Sequence, residues 1–139
     1  MGTRCQIGFY SKDEKDLHNW EALIYRHWDG YPKGVLPDLL PVLREFDRGR
    51  GLDDVEYASA WLVKEWKKDF LNIGISKDIH GDIEYFYAVY PDRVDVWAVV
   101  HTFEDMAFVK SVPIHGKAKV EKVVEKDTTD ERITLIREG

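Results

Sequence analysis

Ile83-Glu84-Tyr85-Phe86-Tyr87-Ala88-Val89-Tyr90-Pro91-Asp92-Arg93-Val94-Asp95-Val96-Trp97-Ala98-Val99-Val100 decides the fold class. Its period is two: Ile83, Tyr85, Tyr87 and Val89 share one side and Glu84, Phe86, Ala88 and Tyr90 the other. Beyond Pro91-Asp92, Val94, Val96, Ala98 and Val100 alternate with Arg93, Asp95, Trp97 and Val99. A proline followed by an aspartate between two such runs is hairpin-turn chemistry. Asp105 to Ile114 alternates again, with Met106, Phe108 and Lys110 opposite Ala107 and Val109, so three successive antiparallel strands are expected.

Upstream the period lengthens. Leu36, Leu39, Leu40, Leu43 and Phe46 fall on one helical face, with Gly49 and Gly51 as a terminus. Pro41 would cost a hydrogen bond unless the regular helix starts near Asp38, so a short helix is expected. Asp53 with Glu56 three positions later resembles a reciprocal N-terminal cap, and Val55, Ala58, Leu62, Trp66 and Phe70 continue as an apolar stripe over Asp53 to Leu71. Cys5 to Tyr10 reads as a first strand. Asn19 to Trp28 fits a strand or a short helix, and Leu23 to Trp28 is taken as strand. Two edge strands, over 117–122 and 133–136, are expected in the tail, a helix over 116–126 being the alternative. Together these give a single α+β domain over 1–139: an antiparallel sheet of about five to six strands with two main helices packed on one face.

Composition narrows the function. A chain of 139 residues supports one core. The net charge of -6 arises in residues 51–110, which hold 6 basic and 12 acidic side chains, and an acidic field argues against a nucleic-acid partner. Cys5 is the single cysteine, which excludes an intramolecular disulfide and fits a reducing cytoplasm. Charged residues from Arg4 to Asp16 do not resemble a signal peptide, and no window approaches the roughly 20 apolar residues of a membrane span.

Chemistry concentrates in Tyr25-Arg26-His27-Trp28-Asp29-Gly30-Tyr31-Pro32. His27 and Asp29 are two apart, as are His80 and Asp82. On extended backbone each imidazole would face the same side as its carboxylate, and two such pairs could hold one divalent metal. Asp29 can instead cap the turn at Gly30, while its catalytic reading is a general acid or base supported by Arg26, His27 or Tyr31. His101 reads as a strand-end residue in a turn, or else as a base with Glu104 or Asp105 nearby; His115 reads as a turn residue, Cys5 as an apolar strand residue, and Arg44, Arg48 and Arg50 as solvated arginines at a helix exit or a small phosphate-facing surface. Tyr85, Phe86, Tyr87, Tyr90 and Trp97 read first as core and sheet residues, with base stacking as the competing use.

The Met1-Gly2-Thr3-Arg4-Cys5 opening and the Tyr25 to Pro32 segment resemble those of a family of short uncharacterised proteins from bacteria, archaea and their viruses. Its members tend to open Met-Gly-Thr-Arg and to carry a Tyr-Arg-aromatic-Asp-Gly-Tyr-Pro-like stretch on the next strand. The resemblance implies no activity and marks Arg4, Tyr25, Arg26, Asp29, Gly30, Tyr31 and Pro32 as positions of interest. The expected function is a non-enzymatic protein-interaction or accessory protein, partnered by another protein or by a second copy, without a cofactor. The alternative is a metal-dependent phosphoester hydrolase with a divalent ion on His27, Asp29, His80 and Asp82, and with Asp29 and Arg26 in catalysis.

Overall fold

A computed structural model describes residues 3–69 and 72–115. In chain order the elements are β1 (Cys5–Phe9), β2 (Ala22–Arg26), α1 (Pro32–Gly49), α2 (Val55–Lys67), β3 (Ile73–Ile75), β4 (Tyr85–Val89), β5 (Arg93–Val99) and β6 (Met106–Pro113). They form an α+β fold with one six-stranded sheet, ordered β3-β2-β1-β4-β5-β6. The tail expected as two edge strands lies outside the described residues.

The sheet corrects the all-antiparallel expectation at one junction. The β1–β2, β2–β3, β4–β5 and β5–β6 pairs are antiparallel, but β1 and β4 run parallel, with Cys5 opposite Tyr85 and Phe9 opposite Val89. A tight turn can only reverse the chain, whereas a parallel neighbour needs a long crossover. Here everything between β1 and β4 serves as that crossover, so no local pattern announced the pairing. The expected β4–β5 hairpin forms, closed by Tyr90 N–H donating to the Arg93 carbonyl at 2.8 Å. β3 escaped the sequence reading because Ile73-Gly74-Ile75 is too short to show a period.

Both helices also depart from expectation. α1 begins at Pro32, where a missing N–H costs nothing, and continues for 18 residues through Pro37 and Pro41. Those prolines are exposed and four positions apart, so the carbonyls they leave without an amide face water while Leu36, Leu39, Leu40 and Leu43 stay buried. α2 is preceded by Asp54 rather than capped by Asp53, and the Asp54 carboxylate is taken by Arg50 Nε at 2.5 Å instead of by the helix amides. Phe70 and Leu71, expected to extend the stripe, lie outside the described residues.

Both faces of the sheet are covered, which explains why every residue of β1 and β4 is buried. Cys5, Ile7, Phe9, Tyr85, Tyr87 and Val89 pack under the helices. The opposite face carries Tyr10, Leu23, Phe86, Ala88 and Tyr90, and the segment from Tyr10 to Trp20 lies across it. Two phenols fasten that segment: Tyr10 donates to the Leu17 carbonyl at 2.6 Å and Tyr90 to the Glu14 carbonyl at 2.9 Å. Tyr85, Phe86, Tyr87 and Tyr90 are thus core residues, as expected.

Burial makes the fold sensitive to alkali. It pushes the Cys5 thiol from 9.0 up to about 12, pushes the Tyr90 phenol up to about 12 with help from Asp95, and raises Tyr10 as well. These groups hold their protons more tightly folded than unfolded. Their contribution to stability is whole below about pH 9 and is lost as pH rises through the folded values near 12. Urea midpoints are expected to be flat up to pH 9 and to fall above it, with native Cys5 resisting iodoacetamide; rapid native alkylation at pH 8 would contradict the burial argument.

Candidate functional site

Alternation along β2 divides the Tyr25 to Pro32 segment between two faces. Ile24 and Arg26 lie beneath the helices, whereas Leu23 and Tyr25 belong to the opposite face. Arg26, expected as a catalytic cation, is 1% exposed and ties the β2–α1 corner together. Its Nε donates to the Trp28 carbonyl at 2.8 Å, its Nη2 to Asp38 Oδ2 at 2.9 Å, and its guanidinium lies 4.7 Å from the centre of the Trp66 ring. Trp66 Nε1 in turn donates to the Asp38 carbonyl, so the assembly joins β2, α1 and α2.

Asp29, expected as the general acid or base and as a ligand, occupies the left-handed region at φ 54 and accepts a hydrogen bond from Tyr31 at 3.3 Å. Gly30 N–H donates to the Thr3 carbonyl at 2.8 Å, and Gly30 accepts from Tyr87 at 2.6 Å. Thr3, Gly30 and Tyr87 therefore meet in a single joint. Pro32 opens α1 at that joint.

Gln6, which the sequence reading passed over, organises the other face. It lies opposite Tyr25 in the sheet and is fully buried. Its amide nitrogen donates to Ser76 Oγ at 2.8 Å and to the Asp78 carbonyl at 3.1 Å, and its oxygen accepts from the His80 backbone at 3.0 Å. These bonds hold the β3–β4 connection on the sheet and stack His80 on Tyr25, ring centres 4.3 Å apart. Tyr25 shares a 2.8 Å hydrogen bond with His27 Nδ1, and burial together with Asp82 raises its phenol above the usual value. Asp82 pairs with Arg4 at 3.2 Å and approaches His80 at 3.9 Å.

His27 thus engages the Tyr25 hydroxyl and His80 its ring, while Asp29 is engaged by Tyr31 and Asp82 by Arg4. Among the described residues, no group of three His, Cys, Asp or Glu side chains could hold a metal ion, so the structure does not gather His27, Asp29, His80 and Asp82 into one ligand set.

Beside His80 the same face opens into a cavity of about 300 Å³. Ile79, Ile83, Val99 and Phe103 supply apolar lining, and His18, His80, His101, Asp78, Thr102 and Glu104 supply the polar part. Two of these imidazoles are held by carboxylates: His18 Nε2 lies 2.8 Å from Glu104 Oε2, and His101 Nδ1 lies 3.0 Å from Asp105 Oδ2. His18 also meets the Phe103 ring edge-on at 4.8 Å. The sequence contained one signal for this face, a lone glutamine between apolar strand residues. It contained none for the meeting of His18 with His101, which are 83 positions apart (101 − 18) and joined by the fold alone.

Among the described residues no helix is long and apolar enough to cross a membrane. No protein-family model, curated protein or solved structure matches the chain.

Proposed function

We propose that this chain is a non-enzymatic binding protein that takes up an apolar side chain of a partner protein, flanked by basic residues, in the cavity beside His80. The observation that carries this reading is the cavity's make-up: an apolar lining with a polar remainder, in a volume of about 300 Å³ suited to one anchoring side chain rather than an extended substrate. Charge supplies the second half. Asp78 and Glu104 line the cavity, Asp105 and Asp82 lie behind its histidines, and a partner bearing Lys or Arg beside its anchor would complement them.

The imidazoles are oriented to take part in recognition. His18 and His101 each use a ring nitrogen on a carboxylate, which fixes ring orientation and leaves the other nitrogen to a partner. Cys5 is buried with its thiol held protonated, which leaves it unsuited to act as a nucleophile. The phosphoester reading would require four ligands that are presently engaged with Tyr25, Tyr31 and Arg4 to converge on one ion.

Selection of a displayed random-peptide library on the purified protein tests the proposal. Peptides with a large apolar residue next to Lys or Arg are expected to be enriched, and to lose binding to Thr102→Trp, which blocks the mouth from an exposed position. Enrichment of acidic peptides, or equal retention by Thr102→Trp, would refute it. A second copy as occupant would appear as self-association that Thr102→Trp abolishes, and would overturn the choice of a basic partner.

A further inference from the structure

A second recess lies on the far side of the molecule, between α1 and α2. It has a volume of about 370 Å³ and is lined by Pro41, Val42, Arg44, Glu45, Arg48 and Glu65. Arg44 is only 7% exposed, and its Nε donates to the Ile114 carbonyl at 2.5 Å, which fixes the guanidinium against the start of the tail. Its Nη2 is buried without a hydrogen-bond partner. A buried guanidinium N–H left unpaired is costly, because the group has given up water and received nothing in return.

The surroundings favour an anion. Arg48 follows Arg44 by one helical turn, so two cations contribute to one wall, and burial together with Arg48 lowers the proton affinity of Arg44. Glu65 does not offset them: Lys68 holds it at 3.1 Å and Lys64 at 3.4 Å. Pro41 and Val42 add apolar surface without side-chain donors. Planar guanidinium groups are suited to oxygen anions. The Glu45 carboxylate in the same recess would repel a polyanion such as a nucleic-acid backbone, while a single compact anion can sit on the arginines.

We propose that the α1–α2 recess is a binding site for a small oxyanion, the phosphate or carboxylate group of a ligand, held by Arg44 and Arg48. It is separate from the cavity beside His80 and does not depend on that cavity's role. The anion would be held by the charge of the Arg44 guanidinium where it lines the recess, and Arg48 would supply the second charge from the exposed side.

Inorganic phosphate and acetate, titrated separately against the full chain at fixed ionic strength with chloride as the reference anion, test the site by calorimetry and melting temperature. At least one is expected to bind and to stabilise the fold beyond chloride, and the one that does identifies the source as phosphate or carboxylate. Arg48→Gln, on the exposed side and so compatible with folding, is expected to weaken binding about tenfold or more. Glu45→Gln is expected to tighten it, and Lys33→Gln in the first turn of α1 to leave it unchanged. Failure of both anions to exceed chloride would overturn the proposal, as would equal weakening by Lys33→Gln, which would mark the effect as one of net charge.

Discussion

Arg26→Ala is expected to lower the unfolding free energy by about 3 kcal/mol, the lower end of the cost of removing one partner from a buried ion pair. Three losses combine: the charge-assisted bond to Asp38, the bond to the Trp28 carbonyl, and the contact with the Trp66 ring. The Asp38 side chain is 38% exposed and can regain water, which keeps the figure from rising further. In melting temperature the change is on the order of 10 °C for a chain of this size. Asp38→Asn should cost much less, since the amide still accepts from the guanidinium. Arg26→Lys should not restore stability, because an ammonium lacks the fork that reaches Trp28 and Asp38 together. Urea unfolding of the three variants provides the measurement. A stable, fully folded Arg26→Ala protein would return Arg26 to the list of catalytic candidates.

Gly30→Ala carries the second large effect, about 2–4 kcal/mol from overpacking and strained hydrogen bonds. A Cβ at Gly30 would lie 2.7 Å from the Thr3 carbonyl oxygen, 2.9 Å from Cys5 Cβ and 3.0 Å from the Arg4 carbonyl carbon. Two of these are backbone atoms, so relief requires β1 and the β2–α1 corner to separate. That movement would stretch the Gly30–Thr3 bond and the buried bond from Tyr87. Asp29→Gly is the control one residue away. Its backbone already sits at φ 54, which glycine adopts without strain, so stability should stay within about 1 kcal/mol of the parent or rise. Equal destabilisation by both substitutions would show that the Asp29 side chain, rather than the close approach at Gly30, holds the corner.

The pattern of legibility follows the range of the forces. The β4–β5 hairpin and the apolar stripes of α1 and α2 were readable because alternation and helical spacing act over a few residues. The start of α1 was misjudged because Pro41 looked incompatible with a helix that starts much before Asp38, and only the packed helix shows Pro41, like Pro37, on its wet side. Asp53 looked like a cap because its spacing to Glu56 was right. In the fold the neighbouring Asp54 precedes the helix, and Arg50 takes its carboxylate. For the sites, residue chemistry pointed to Tyr25 to Pro32 but not to the division of that segment between two faces, one structural around Arg26 and one beside the cavity around Tyr25.

Composition and period alone were sufficient for an α+β chain with an acidic middle, a β4–β5–β6 meander and two amphipathic helices. The parallel β1–β4 junction, the burial of Gln6 under the β3–β4 connection, the gathering of His18, His80 and His101, and the orphaned Arg44 nitrogen came only with the tertiary structure. Each joins residues far apart in the chain. Their pairing depends on which surfaces the whole sheet buries together, and no window of local sequence contains that information.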